Sequence, residues 1–112
     1  MELNEYQRLA EDTAVYKNVI PPIGHLAYAA LGLAGEAGEV ANKVKKVLRD
    51  SDGALTADRQ EQIYDELGDV LWYLARVASE IGVTLNEVGQ HNLNKLAKRK
   101  KENTLQGDGD KR

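Results

Sequence analysis

Two long segments of the chain repeat apolar residues at helical spacing, and this pattern constrains the fold more than any other feature. In the segment from about 22 to 49 the repeat consists of Ala30, Leu33, Ala37, Val40, Val44, Val47 and Leu48. In the segment from about 56 to 81 it consists of Ile63, Leu67, Val70, Leu74, Val77 and Ile81. Residues three or four apart share one face of an α-helix. Since no strand-like alternation competes, the pattern predicts an all-α fold with two long central helices.

A shorter helix is predicted before the first long one. It should begin near Asn4, with Gln7 three residues later as the second half of a capping box, and end near Lys17. The Pro21–Pro22 pair that follows stops one helix and starts the next, because proline is tolerated only in a first helical turn.

A fourth helix is predicted near the carboxyl end. Gly82 is suited to end the third helix, and Thr84 with Glu87 forms a capping box for the fourth, which fades near residue 101. The four segments predict a four-helix bundle-like domain over residues 1–102. Residues 103–112, which contain two glycines, are predicted to be a flexible tail.

The composition excludes several classes of protein. A chain of 112 residues is the usual size of one domain. It has no cysteine, which excludes disulfides, thiolate metal sites and a cysteine nucleophile. No apolar run reaches the roughly 18 residues of a membrane span, and the first residues are acidic. We therefore expect a soluble cytoplasmic protein with no membrane partner.

Charge is unevenly distributed. From Asn92 onward there are seven basic side chains and three acidic ones, on a chain whose net charge is −3. Such a segment either binds phosphates or forms a solvated helix end. Because it has no aromatic residues on which bases could stack, stable nucleic-acid binding is not expected.

Each long helix carries two acids three residues apart, Glu36 and Glu39 on the first and Glu66 and Asp69 on the second. At 100° per residue, the first acid of each pair lies about −60° from its apolar stripe and the second about −120°. The pairs thus occupy the same edge of their stripes, and antiparallel packing would bring four carboxylates together.

Four such carboxylates repel one another unless a cation lies between them. Mg²⁺ prefers oxygen ligands and retains water, so it is the expected metal, with Mn²⁺ as a substitute. No His or Cys joins the cluster, which argues against zinc and copper. Three neighbouring glycines cost helix stability and suggest that room is needed there: Gly35, Gly38 and Gly68. The alternative remains that acids on helices are ordinary solvated residues.

The two motifs, Glu36-x-x-Glu39 and Glu66-x-x-Asp69 with their glycine-rich surroundings, resemble those of MazG-like nucleoside triphosphate pyrophosphohydrolases over about residues 4–101. The resemblance implies an all-α MazG fold and Mg²⁺-dependent cleavage of (d)NTPs between the α- and β-phosphates. It also implies a homodimer or a dimer-of-dimers tetramer. Glu36 and Glu39 are the expected catalytic residues, with Glu39 as the base. Related enzymes can carry a further acid at the position of Gly35, which leaves the identity of the base open.

Several cationic or polar residues are candidates for substrate binding. Lys43 lies one turn beyond Glu39 on the same edge, about −80° from the stripe. The Lys95-x-x-x-Arg99 pattern resembles the family's phosphate-binding pair, although a basic helix end also suits the helix dipole. Asn92 and His25 are equally compatible with nucleotide contacts and with surface positions.

Trp72 falls about 180° from the apolar stripe of its helix, on the face expected to be solvated. A large apolar side chain there predicts burial by another subunit, or by a base. Trp72, Tyr64 and Tyr28 are therefore predicted to lie near a subunit interface. The alternative to an enzyme is a non-catalytic, dimerising helical bundle in which the acids form a structural cation site or a partner surface. Hydrolysis of a different phosphate-containing small molecule is a third possibility.

Overall fold

The computed structural model describes residues 1–16 and 22–111, and in this part of the chain every regular element is helical. The elements are α1 (Leu3–Ala10), a short 3₁₀ turn (Glu11–Thr13), α2 (Gly24–Asp50), α3 (Ala57–Glu80) and α4 (Leu85–Lys101). The predicted all-α fold with two long central helices is confirmed. The predicted run of the first helix to about Lys17 is wrong, because α1 ends at Ala10 and the 3₁₀ turn ends at Thr13. Lys17 and Pro21 themselves lie outside the described residues.

Helices α2 and α3 form an antiparallel hairpin. The antiparallel direction follows from three pairs of residues, in which the numbers rise along α2 while those of the partners on α3 fall. The pairs are Gly32 with Tyr73, Glu36 with Asp69, and Lys43 with Glu66. At the closed end, Thr56 caps α3 by accepting a hydrogen bond of 3.2 Å from the Arg59 amide. The hairpin thus fixes which side chains of the two long helices face one another.

Helix α1 is attached through Gln7, which is buried. Its amide nitrogen donates to Ser79 Oγ at 3.0 Å and to the Val83 carbonyl at 2.8 Å, and its amide oxygen accepts from the Leu85 amide at 2.8 Å. The predicted Asn4–Gln7 capping box is therefore wrong. Glu2 is the N-cap residue, and Asn4 accepts instead from the Asn86 amide at 2.9 Å. Long-range partners outcompete the local cap because they satisfy the first amides of α4.

The turn between α3 and α4 follows the sequence signals. Gly82 has φ of +78°, and the Val83 amide donates to the Ala78 carbonyl at 3.0 Å, as in a helix end with a left-handed residue. Thr84 Oγ1 accepts from the Glu87 amide at 3.1 Å, and Glu87 accepts from the Thr84 amide at 3.2 Å. The predicted capping box is confirmed.

Helix α2 buries Ala29 and Val47, and the contiguous cluster of buried apolar residues lies where α1, α3 and α4 meet. It consists of Ala10, Ala75, Ala78 and Leu85. Within the stripes, by contrast, Leu48 is 70% exposed and Leu67 is 53% exposed. The radius of gyration is 17.0 Å, whereas a compact chain of this length has about 13 Å. The single chain therefore leaves much of its apolar surface uncovered.

The segment after α4 turns back along the helix. Asn103 has φ of +57°, and the Thr104 amide donates to the Arg99 carbonyl at 2.8 Å. Asp110 then lies within hydrogen-bond distance of Lys95 and Arg99. The flexibility of residues 103–112 stays a prediction, but the described part of this tail contacts the domain. None of the described helices is both long and apolar enough to cross a membrane.

Gly32 on α2 leaves room for the Tyr73 ring of α3, which occupies the space where a Cβ would lie. In Gly32→Ala the new methyl group would overlap this ring, so we expect a loss of about 1–3 kcal/mol in the free energy of unfolding. Gly35→Ala is the matched control on the same helix, since nothing lies within 4 Å of its Cβ position. The free energy of unfolding of this control should rise by up to about 1 kcal/mol, because Ala has a higher helix propensity than Gly. Urea denaturation measures both, and equal stability of the two variants would contradict the packing described.

Candidate metal centre

Three carboxylates from the hairpin converge on one point. Glu36 on α2 and Glu66 and Asp69 on α3 each offer one oxygen, and these oxygens lie within 4.8 Å of one another. The i, i+3 spacing puts the two α3 acids on one edge, and antiparallel pairing brings Glu36 opposite them. This group of three is called the acid cluster below.

Glu39, the fourth acid of the predicted set, is not part of the acid cluster. Its side chain is exposed, about 60° further round α2 than Glu36. The predicted convergence of four carboxylates is thus wrong for the single chain, since only Glu36, Glu66 and Asp69 bring oxygens together among the described residues. Its charge is still close enough to help raise the pKa of Glu36. The role of Glu39 as a base stays a prediction.

The electrostatics of the acid cluster suit a cation. Burial is the largest cause that raises the pKa of Glu36, followed by the charges of Asp69, Glu66 and Glu39. A hydrogen bond with Glu66 adds to the effect. The nearest described counter-charge is Lys43, whose Nζ lies 3.9 Å from Glu66 Oε1. One lysine cannot neutralise three acids, so the cluster has the excess negative charge and the all-oxygen donor set that a hard divalent ion requires.

The acid cluster opens into a cleft of about 340 Å³. Its walls are formed by Thr13, Glu36, Asp69, Trp72 and Tyr73. The indole Nε1 of Trp72 donates to Thr13 Oγ1 at 2.8 Å, and its ring packs edge-on against Tyr73 at 5.0 Å. The acids therefore border a surface on which a flat ring could rest.

Tyrosine hydroxyls close to the acids respond to their charge. The pKa of Tyr73 is raised by burial first, then by its contact with Tyr28 and by the charges of Glu36 and Asp69. Burial and Asp69 also raise the pKa of Tyr6. Tyr73 was missed in the sequence, although it lies one turn after Asp69 on the same edge, about −80° from the stripe. Thr13 and Tyr6 had no such signal, because only the docking of α1 brings them here.

Trp72 is half-buried within its own chain rather than on a solvated face. It packs against the core of Ala10, Ala75, Ala78 and Leu85. The predicted orientation is wrong because α1 and the 3₁₀ turn cover the face of α3 opposite to α2. Tyr28 is exposed but stacks on Tyr16 at 4.6 Å, and Tyr64 is 74% exposed. Whether these three residues lie at a subunit interface stays a prediction.

The other candidate substrate-binding residues are dispersed. Lys43 contacts the acid cluster. His25 is exposed and edge-on to Tyr16 at 5.4 Å, and Asn92 is exposed on α4. Lys95 and Arg99 contact Asp110 and do not line the described cleft. Gly35, Gly38 and Gly68 have nothing within 4 Å of their Cβ positions, so the predicted room beside the acids is present.

The raised pKa of Glu36 predicts how stability depends on pH when no divalent metal is present. Its ordinary value is 4.5, and the folded state binds the proton more tightly. Tighter proton binding by Glu36 therefore stabilises the folded state fully below the ordinary pKa. This stabilisation is lost as pH rises through the raised pKa. Urea midpoints measured in EDTA from about pH 4 to about pH 7 should show this loss, and Glu36→Gln should reduce it. The same pH dependence in the variant would contradict the assignment.

Comparisons with known proteins show the family of the chain. The family described as MazG nucleotide pyrophosphohydrolase domain matches residues 25–104, which include the acid cluster and all of α4. The Gene 37 protein of Mycobacterium phage L5 is 48% identical over 114 aligned positions, covering 100% of both chains. No solved structure shows significant similarity. The family match spans well over half of the chain, and the protein therefore belongs to the MazG nucleotide pyrophosphohydrolase domain family.

Proposed function

We propose that the protein is a Mg²⁺-dependent nucleoside triphosphate pyrophosphohydrolase that limits excess or non-standard (d)NTPs. The observation that carries this proposal is the acid cluster, which opens into a cleft with aromatic walls in a chain of the MazG family. Such a site combines ligands for the cation that accompanies a triphosphate with a surface on which the nucleobase can rest. The reaction yields a nucleoside monophosphate and pyrophosphate.

Glu36, Glu66 and Asp69 are the residues that would hold Mg²⁺, and Mn²⁺ would fit the same oxygen donors. When bound, the ion would neutralise negative charge on the phosphates and lower the pKa of a water molecule that it holds. Glu39 is exposed beside this cluster, where it can accept a proton from the attacking water. Lys43 is placed to contact the phosphates, and Trp72 and Tyr73 border the space for the base.

In this reaction the water oxygen bonds to the α-phosphorus while the bond from that phosphorus to the α–β bridging oxygen breaks. Pyrophosphate leaves with the electron pair of the broken bond, and the proton of the water passes to the carboxylate base. The attacked atom decides the products, because attack at the γ-phosphorus would instead release orthophosphate.

Product analysis tests the proposal. A panel of (d)NTPs is incubated with the protein and Mg²⁺ in ¹⁸O-labelled water, and the products are identified by phosphorus NMR and mass spectrometry. We expect pyrophosphate, with the label in the nucleoside monophosphate. Orthophosphate release, or no hydrolysis of any nucleotide, would contradict it. No hydrolysis together with stabilisation by Mg²⁺ would favour the non-catalytic bundle with a structural cation site.

We also propose that the protein functions as a homo-oligomer, either a dimer or a dimer of dimers. The support is the exposed apolar surface of α2 and α3 and the large radius of gyration of the single chain. Leu31 and Tyr64 are each 74% exposed, which is unusual for long apolar helices in a monomer. A second copy of the chain would bury this surface and enlarge a core that is otherwise small.

A further inference from the structure

The end of α4 carries two cationic side chains one turn apart, Lys95 and Arg99. The Arg99 side chain is only 6% exposed, and its Nε has no hydrogen-bond partner among the described residues. A buried guanidinium is costly unless an anion accompanies it. This part of the helix is therefore built to hold negative charge.

The anion present is the chain's own Asp110. Its Oδ1 lies 3.2 Å from Lys95 Nζ and 3.4 Å from Arg99 Nη2, so one carboxylate oxygen serves both cations. Arg99 Nη2 also donates to the Asp110 carbonyl at 2.7 Å. Hydrogen bonds and charge from Lys95, followed by those from Arg99, lower the pKa of Asp110. Hence the contact is charged at neutral pH.

The two sides of this contact are unequal. The Asp110 side chain is 82% exposed and lies in the segment after the turn at Asn103, whereas Arg99 is anchored in α4. Exposed ion pairs are weak and easily broken. Arg99 also keeps unused donor capacity, and a guanidinium matches the oxygens of a phosphate better than a single carboxylate oxygen. A phosphate could therefore take the place of Asp110.

We propose that Asp110 is an internal competitor for a phosphate-binding pair formed by Lys95 and Arg99. The tail holds a carboxylate where a phosphate oxygen would lie, and a phosphate-bearing ligand binds only after the tail has moved away. The choice of phosphate as the ligand rests on the proposed function. The tethered carboxylate acts at a high effective concentration, so it weakens the binding of dilute ligand without blocking binding at saturation.

Binding of inorganic pyrophosphate, measured by calorimetry in EDTA at low salt, tests this competition without requiring catalysis. Asp110→Asn should bind pyrophosphate about two- to fivefold more tightly than the wild type, as expected for loss of an exposed ion pair. Asp108→Asn is the matched control, because it removes the same charge two residues away, where no described ion pair is formed. It should bind like the wild type. A chain ending at Gly107 is a second variant and should also bind more tightly.

A second arm uses a non-hydrolysable nucleoside triphosphate analogue with Mg²⁺. Tighter binding of both ligands to Asp110→Asn supports competition at a substrate phosphate, and tighter binding of pyrophosphate alone supports competition at a site for the free anion. Unchanged or weaker pyrophosphate binding by both Asp110→Asn and the shortened chain would overturn the proposal. Because this first arm involves no hydrolysis, failure of the competition is distinguishable from failure of the proposed enzyme activity.

Discussion

Asp69→Asn is expected to reduce pyrophosphate release by about 100-fold or more at saturating Mg²⁺ and nucleotide. The substitution preserves the size of the side chain but removes one of three converging negative charges. A neutral amide oxygen is a weaker ligand for Mg²⁺ and stabilises the charge of the metal–triphosphate complex less. A coupled assay for pyrophosphate measures the steady-state rates of the wild type and the variant, and their ratio gives the effect.

Asp65→Asn is the matched control for this experiment. Asp65 is an exposed acid on α3, next to Glu66 but outside the acid cluster. Its loss should change the rate by less than about twofold, since exposed charges outside a site contribute little. Equal losses in the two variants would mean that net charge, rather than the acid cluster, controls the reaction.

The thermal stability of Asp69→Asn should distinguish a damaged fold from a damaged metal site. Without divalent metal the variant should be at least as stable as the wild type, because the charge of Asp69 no longer opposes that of Glu36. Mg²⁺ should raise the melting temperature of the wild type and have a much smaller effect on the variant. A variant that is less stable without metal would contradict the repulsion described.

Tyr64→Asp is expected to dissociate the protein into monomers and lower its melting temperature. The Tyr64 ring is 74% exposed, and together with Leu55, Ile63 and Leu67 it lines an apolar depression on the α2–α3 side of the molecule. A carboxylate placed in such a contact between copies would lose its hydration without gaining a partner. Light scattering after gel filtration gives the mass, and melting at several protein concentrations shows whether unfolding is coupled to dissociation.

Tyr64→Phe is the conservative control for the interface. It retains the apolar ring and should keep the mass of the wild type, which we expect to be that of a dimer or tetramer. A monomeric wild type with a melting temperature independent of concentration would contradict the proposed assembly. A wild-type oligomer unaffected by Tyr64→Asp would instead place the interface elsewhere on the chain.

Local signals in the sequence are sufficient for α2, α3 and α4 and for most of the acid cluster. Thr84 with Glu87 and the left-handed Gly82 were read correctly because their partners lie within a few residues. The acid cluster was largely predictable because it depends on one packing step between adjacent helices. Three of the four predicted carboxylates converge, and Glu39 lies outside the group. Helical offset alone does not distinguish Glu39 from Asp69, because both acids have the same offset and both are exposed.

Features that depend on distant segments were not predictable in the same way. Gln7 resembled half of a helix cap, but its partners lie more than 70 residues away. Helical periodicity places Trp72 on a solvated face because it reflects only the α2–α3 contact, whereas α1 covers that face. Arg99 resembled a free phosphate contact, and its pairing with Asp110 depends on a turn after α4 that the tail composition does not specify.

Calorimetric titration with Mn²⁺ or Mg²⁺ tests the central claim, that carboxylates from α2 and α3 share one divalent cation. The wild type, Glu36→Gln and Glu39→Gln are compared at neutral pH. We predict saturable binding to the wild type, near-complete loss in Glu36→Gln, and a much smaller loss in Glu39→Gln, whose carboxylate lies outside the acid cluster. Wild-type affinity in Glu36→Gln, or no saturable binding in any of the three proteins, would contradict it.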